Sequence, residues 1–191
     1  MKLGPALPAP FIPAAAEAEW ITHRGDTVEV CLWAGPGAEP GQRSAVVLPD
    51  ARMITHDAEP LGVGPLGAYL YEPDGAVIRA DGVAQLGSDL NAHLLDPHLA
   101  YLTGDDLLRT PFATAFRVLD WLPYGVKELR AWVKANDVGR LEIKKRGIDV
   151  DPAELRKRLR PAGSERATLV ISRTPRGALV AVVERVTTLP S

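Results

Sequence analysis

Residues 141–152 of this 191-residue chain read Leu141-Glu142-Ile143-Lys144-Lys145-Arg146-Gly147-Ile148-Asp149-Val150-Asp151-Pro152. Residues 141–145 predict a short strand, and Gly147 permits a sharp exit from it because glycine adopts positive φ at no steric cost. Asp151 can cap the N-terminus of a helix, and Pro152 suits the first helical position, where an N–H would have no partner. The segment therefore predicts a strand, a turn and the start of a helix.

The flanking residues extend this segment into an alternating set of strands and helices. The predicted elements are a strand at 115–122, a helix at 125–136, the strand and helix within 141–160, and strands at 168–173 and 179–186. A turn at Pro175-Arg176-Gly177 joins the last two strands. The order β-α-β-α-β-β suits two helices packed on one face of a small sheet, so we expect an α+β unit.

The first half of the chain predicts a β-rich region followed by a mixed one. Strands are expected at 19–21, 27–33, 44–48 and 53–55, after a lead-in over residues 1–16 that is not helical. A hairpin turn at 23–26 joins the first two because Gly25 tolerates positive φ. Further along, we expect a strand at 68–72, a helix at 82–94 with apolar residues on one face, and a strand at 98–103.

The composition is that of a soluble globular protein: 46% of residues are hydrophobic and 24% are charged, which excludes global disorder. No run of 18 apolar residues occurs, and the first residues lack the apolar segment of a signal peptide. The single cysteine, Cys31, excludes an internal disulfide and a cysteine-rich zinc site. We therefore expect a cytoplasmic protein that neither spans a membrane nor contains metal.

The charges are unevenly distributed along the chain. Residues 1–126 carry 7 basic and 16 acidic side chains, a net charge of −9, whereas residues 127–191 carry 15 basic and 8 acidic side chains, a net charge of +7. This asymmetry predicts a surface for an anionic partner. A solvated helix face without a partner is the alternative.

Several motifs resemble active sites, but the secondary structure predicted around them does not suit that chemistry. The glycine-rich segments 35–41 and 62–67 are each followed by a predicted strand, so neither supplies the helix N-terminus that a cofactor loop requires. His93, Asp96 and His98 could be imagined as metal ligands but surround a turn. Cys31 lies in a predicted strand without a basic neighbour, which favours a buried thiol. We predict no catalytic, cofactor-binding or metal-binding residue in this chain.

The strongest candidate site is a basic cluster on the 141–145 strand and the helix that follows it. Lysine and arginine side chains on a strand edge and a helix end can follow a phosphate backbone. Basic residues near a helix C-terminus also stabilise the helix itself, which is the alternative explanation. The predicted RNA-binding residues are Arg140, Lys144, Lys145, Arg146, Arg156, Lys157 and Arg158.

Two segments resemble parts of a known enzyme family. Residues 69–80, Tyr69-Leu70-Tyr71-Glu72-Pro73-Asp74-Gly75-Ala76-Val77-Ile78-Arg79-Ala80, resemble the start of the ferredoxin-like domain that follows a class I S-adenosylmethionine-dependent methyltransferase domain. Residues 141–152 resemble the core of the THUMP-like domain that ends the same proteins. Residues 2–5, 17–21 and 29–33 are similar to the last strands of the methyltransferase domain.

This resemblance implies an α+β chain with three parts. They are a β-hairpin lead-in at 1–62 that is the tail of the methyltransferase sheet, a ferredoxin-like domain at 63–114 and a small THUMP-like domain at 115–191. In the family, the S-adenosylmethionine loop and the catalytic residues precede the equivalent of Lys2. THUMP domains are associated with RNA recognition, so the resemblance implies a substrate-recognition part that binds RNA and is not catalytic alone.

Two other interpretations of the resemblance stay open at this point. The chain could be one subunit of a split methyltransferase whose cofactor domain is supplied by a separate chain. The strands before Pro49 would then complete the partner's sheet, and edge strands left unpaired at residues 19–33 would be an association and aggregation risk. The chain could also be a truncated gene product with no separate function.

Overall fold

The computed structural model describes residues 1–187, and over these residues the chain forms two β-sheets and four α-helices. Both sheets contain parallel and antiparallel strand pairs. The chain is therefore α+β, as the sequence predicts.

The N-terminal sheet contains five strands. They are β1 (Lys2–Leu3), β2 (Glu17–His23), β3 (Asp26–Trp33), β4 (Arg43–Val47) and β5 (Ala51–Thr55), in the order β1-β3-β2-β4-β5. Arg24 and Gly25 have φ of 54° and 87° and form the predicted turn between β2 and β3. The fully buried Trp20 and Val30 pack here with the short helix α1 (Gly75–Arg79), which covers one face of the sheet.

The second sheet contains seven strands and is accompanied by three further helices. Its strands are β6 (Tyr69–Pro73), β7 (His93–Asp96), β8 (Leu99–Gly104), β9 (Ala113–Pro123), β10 (Val138–Arg146), β11 (Glu165–Thr174) and β12 (Gly177–Arg185). The helices are α2 (Val83–Asp89), α3 (Val126–Ala135) and α4 (Pro152–Leu159). The strand order is β10-β11-β12-β9-β6-β8-β7, so β9 joins the last third of the chain to the strands before it.

Helices α3 and α4 pack on the same face of this sheet. Leu129 and Val133 of α3 and Leu155 and Leu159 of α4 are buried against the apolar side chains of β10, β11 and β12. Each helix thereby removes its apolar stripe from water and leaves its other face exposed. This arrangement confirms the predicted placement of both helices on one face.

The opposite face of the sheet is closed by the curling of the sheet itself. Leu70, Tyr101 and Phe116 share a buried cluster there with Val170 and Ala181. The curl brings β7 against β11 and β10 against β6. Each of these contacts is marked by an ion pair between the two strands.

The predicted helix over residues 82–94 is wrong at its C-terminal end. Helix α2 stops at Asp89, Asn91 adopts a φ of 49°, and the chain continues as strand β7. Leu94 matches the apolar spacing of the helix because β7 returns it to the same core that Leu86 and Leu90 occupy. The period of the apolar residues therefore hides the change of secondary structure.

Candidate nucleic-acid interface

Helix α3 presents a row of basic side chains on the side that faces away from the sheet. Lys127, Arg130 and Lys134 follow the spacing i, i+3 and i+7, so they lie on one face of the helix. All three are exposed, whereas Leu129 and Val133 of the same helix are buried in the core. The apolar stripe fixes the rotation of the helix, and that rotation aligns the row.

Helix α4 contributes a second basic row beside the first. Asp151 caps its N-terminus by accepting hydrogen bonds from the N–H groups of Ala153 and Glu154, at 2.7 and 2.9 Å. These hydrogen bonds lower the pKa of the Asp151 carboxyl. Lys157 and Arg158 are exposed near the other end, and Arg160 terminates the helix with a φ of 53°.

A groove of about 790 Å³ lies between the exposed faces of the two helices. No carboxylate lines it, and its only other lining residues are Val126 and Ala131. Among residues 1–187, only Lys157 of its basic side chains forms an ion pair, with the exposed Glu154 at 2.6 Å. We call this site the basic groove; its six cationic residues are Lys127, Arg130, Lys134, Lys157, Arg158 and Arg160.

A smaller depression of about 330 Å³ continues from the basic groove along Arg130, Lys134 and Arg160. Its far wall is the loop after α4, which packs closely against the loop after α3. A Cβ at Gly163 would collide with the backbone carbonyl of Asp137, so this approach requires glycine. The Asp137 carboxylate accepts hydrogen bonds from the Ser164 side chain and backbone, which lower its pKa.

The seven residues predicted from the sequence do not form one surface. Lys157 and Arg158 line the basic groove, whereas Arg140 and Lys145 are exposed outside it. Arg156 donates its Nε–H to the carbonyl of Leu141 at 2.9 Å and thereby ties α4 to β10.

The other two predicted residues, Lys144 and Arg146, project from β10 onto the sheet face opposite the helices. Both bind the carboxylate of Glu72, at 2.8 and 3.7 Å. The Arg146 guanidinium also lies 4.8 Å from the centre of the Tyr101 ring. Burial is the main cause that raises the pKa of Tyr101 to about 12, so its hydroxyl stays protonated. We call Glu72, Tyr101, Lys144 and Arg146 the Glu72 cluster.

Four residues of the basic groove are not among the predicted RNA-binding residues. They are Lys127, Arg130, Lys134 and Arg160. The α3 row was detectable, because its spacing places it opposite the apolar side of the same helix. The position of α4 beside that row follows from the fold and has no local signal in the sequence.

The structure also locates the motifs that resemble other sites. Asp96 binds Arg173 at 3.0 Å, and its other contacts include the backbone N–H of His98 at 2.9 Å. His93 shares a hydrogen bond of 2.8 Å with the carbonyl of Pro65. In the part of the chain that the structure describes, no group of three His, Cys, Asp or Glu side chains could hold a metal ion. No helix within residues 1–187 has the length and apolar character needed to cross a membrane.

Neither glycine-rich segment has the geometry of a cofactor loop. The segment at 35–41 leads into β4 and the segment at 62–67 leads into β6, so each is followed by a strand. A nucleotide-type cofactor is normally held at the N-terminus of a helix that directly follows such a loop. These two segments therefore do not fit S-adenosylmethionine.

Comparison with known proteins shows that this chain is similar to methyltransferases. Residues 113–185 match the family described as THUMP domain-like. Two uncharacterized S-adenosylmethionine-dependent methyltransferases of Mycobacterium tuberculosis, from strains CDC 1551/Oshkosh and H37Rv, are each 40% identical over 165 residues. That alignment covers 85% of this chain and 46% of either relative, so the chain spans about half the length of these relatives.

A crystal structure of a provisionally assigned methyltransferase from Porphyromonas gingivalis W83 shares the fold. Its TM-score is 0.77 at 19% identity, over 98% of this chain and 50% of that chain. These matches confirm the resemblance seen in the sequence: residues 113–185 form a THUMP-like domain, and the chain is homologous to the C-terminal half of S-adenosylmethionine-dependent methyltransferases.

Proposed function

We propose that this chain, a homologue of the C-terminal half of S-adenosylmethionine-dependent methyltransferases with a THUMP-like domain, is the RNA-binding part of such an enzyme. In this proposal it recognises the substrate and does not catalyse methyl transfer alone, and the other half of the enzyme supplies the cofactor site. Residues 1–62 are then the end of the methyltransferase sheet, 63–114 the ferredoxin-like domain and 115–191 the THUMP-like domain. The observation that carries the proposal is the basic groove.

The chemistry of the basic groove favours a polyanion over an apolar partner. Six cations face it, and no lining carboxylate neutralises them. Lys127 and Lys134 are seven residues apart, which corresponds to about 10 Å along the helix axis. Cations spread over that length can contact successive phosphates of a nucleic-acid strand, and each contact releases counterions.

The position of Lys127 is not explained by helix stability. Lysine and arginine near a helix C-terminus interact favourably with the helix dipole, which accounts for Lys157 and Arg158 without any ligand. Lys127 instead lies in the first turn of α3, where a positive charge is unfavourable. An anionic ligand in the groove would offset that cost, which supports the RNA-binding interpretation.

The direct test is the salt dependence of binding to a single-stranded RNA oligonucleotide, followed by fluorescence anisotropy. If all six groove cations contact phosphates, log K falls with log[salt] with a slope of about −4. The double variant Arg130→Gln/Lys134→Gln should lower the magnitude of the slope by about 1.4. Arg79→Gln/Arg117→Gln makes the same charge change on exposed residues outside the groove and should leave the slope unchanged. Absence of salt-dependent binding, or equal slopes for both variants, would refute the proposal.

A second candidate function is a subunit of a split methyltransferase, and the outer edge of β3 favours it. Strand β1 pairs with β3 at Val30 and Cys31, and the backbone of Met1 bonds Leu32, so residues 26–29 of that edge have no neighbouring strand within residues 1–187. An edge with unpaired backbone groups can accept a strand from another chain. The test mixes this chain with the half of the H37Rv relative that it does not match. A stable heterodimer in light scattering would support the split enzyme, whereas two separate monomers would contradict it.

A further inference from the structure

A second cavity lies on the sheet face opposite the helices, beside the end of β9. Its volume is about 680 Å³, within the range of about 300–1,000 Å³ typical of ligand sites. Leu66, Leu95 and Leu179 contribute apolar surface, and Trp121 and Arg176 are exposed residues of its lining. No carboxylate lines this site, which we call the tryptophan cavity.

Trp121 is unusually accessible for a large aromatic residue on a central strand. Its side chain is 59% exposed, and its indole N–H has no hydrogen-bond partner among the described residues. The indole of Trp132 in α3, by contrast, donates to the Asp120 carboxylate at 3.3 Å. Trp121 therefore offers an open ring face and a free donor at the cavity.

Arg176 places a positive charge in the same cavity. It lies in the tight turn between β11 and β12, and it forms no ion pair within residues 1–187. Asp96, which follows the cavity residue Leu95, is already bound to Arg173 at 3.0 Å. An aromatic face and an unneutralised guanidinium in one cavity suit a nucleotide, whose base stacks while its phosphate binds the cation.

The tryptophan cavity and the basic groove flank the same connection between β9 and α3. Trp121 and Pro123 line the cavity, and Val126 and Lys127 line the groove only a few residues later. The backbone N–H of Tyr124 donates to the carbonyl of Ala178 at 2.9 Å, which fixes this connection against β12. An RNA strand that leaves the groove at the start of α3 can therefore reach the cavity, which lies on the other side of this connection.

We propose that the tryptophan cavity binds an unpaired nucleobase of an RNA whose backbone lies in the basic groove. The base stacks on the Trp121 indole, and Arg176 contacts an adjacent phosphate. The inference rests on the proposed RNA-binding function and adds a substrate class: RNA with an unpaired nucleotide next to the bound backbone. A continuous duplex keeps its bases paired and cannot fill the cavity.

The test compares Trp121→Leu with Trp33→Leu, because Trp33 is similarly exposed at 52% and lies on the other sheet. The probes are a single-stranded RNA, the same backbone without bases and a duplex of equal length. Trp121→Leu should weaken single-strand binding about tenfold. It should leave the baseless strand, the duplex and the salt slope unchanged. Trp121→Phe should restore binding because it keeps an aromatic face, and Trp33→Leu should have no effect.

The outcomes distinguish failure of the base site from failure of the proposed RNA-binding function. Single-strand affinity within twofold of wild type in Trp121→Leu, with the groove variants still impaired, would refute the base site and leave the RNA-binding function standing. Equal weakening toward all three probes would also refute it, since that pattern indicates lost structure and not lost stacking. Wild-type protein that binds none of the probes would refute the proposed function itself.

Discussion

The two faces of the seven-stranded sheet both carry arginine and lysine, but only on one face are most of these side chains free of ion pairs. On the helix side, five of the six cations of the basic groove form no ion pair within residues 1–187. On the opposite side, Glu72 binds both Lys144 and Arg146. The difference indicates that the number of basic residues in a segment does not decide where a polyanion can bind. What decides it is whether the fold brings carboxylates into contact with those basic residues.

The largest expected effect comes from reversing charge inside the basic groove. Arg130→Glu/Arg158→Glu should weaken RNA binding about 100-fold at low salt, because two phosphate contacts become repulsions. Arg140→Glu/Lys145→Glu makes the same charge change on exposed residues outside the groove and should cost far less. Anisotropy titrations of both variants provide the measurement. Equal losses would mean that only net charge matters and would remove the distinction between the surfaces.

Single neutralisations compare one lysine from each face. Lys134→Ala should lower RNA affinity about fivefold and reduce the salt slope by about 0.7, as expected for one lost phosphate contact. Lys144→Ala should change affinity less than Lys134→Ala, because Glu72 already holds that ammonium at 2.8 Å. The same titrations measure both variants. A larger loss of affinity for Lys144→Ala would mean that the RNA binds the face opposite the helices, and it would contradict the proposed site.

Removing the carboxylate of the Glu72 cluster should free the lysine and arginine on that face, so that both faces then carry cations without ion pairs. Glu72→Gln releases Lys144 and Arg146 from their shared partner and should raise RNA affinity about twofold. Glu142→Gln is the matched control, since it removes the same charge from β10 without releasing a lysine or arginine. An increase of equal size in both variants would show that release of the two cations contributes nothing.

The smallest effect concerns the acid stability of the contact between β7 and β11. The hydrogen bond from Arg173 lowers the pKa of the buried Asp96 below its value in the unfolded chain, about 3.9. Asp96 therefore stabilises the fold above that value, and the stabilisation is lost as pH falls through the lower folded pKa. Asp96→Asn should lose less free energy of unfolding between pH 7 and pH 3 than wild type in denaturant titrations. The Arg173 side chain is 48% exposed, so screening keeps this difference small. Identical pH profiles would contradict it.

Much of the fold could be predicted from the sequence because its signals are local. The turn at Gly25, the cap at Asp151 and the apolar stripe of α3 each depend on residues within one or two turns of chain. Strand β7 could not be separated from the preceding helix, since Leu94 continues the apolar period of α2 while belonging to a different element.

The candidate site could be predicted from the sequence only in part. The basic row on α3 has helical spacing and could have been found. The partnership of Lys144 with Glu72 joins residues 72 positions apart, and that of Arg173 with Asp96 joins residues 77 positions apart. Both contacts depend on the curl of the seven-stranded sheet, which no local pattern encodes.

The assignment of RNA to the basic groove can be tested most directly by asking which lysines bound RNA protects from acylation. The chain has six lysines: Lys127, Lys134 and Lys157 line the basic groove, whereas Lys2, Lys144 and Lys145 lie elsewhere. A brief reaction with an amine-acylating reagent, read by mass spectrometry with and without single-stranded RNA, reports on all six at once. We predict that RNA protects the three groove lysines and leaves the other three unchanged. Protection of Lys144 and Lys145 with Lys127 and Lys134 still reactive would contradict the assignment of the basic groove.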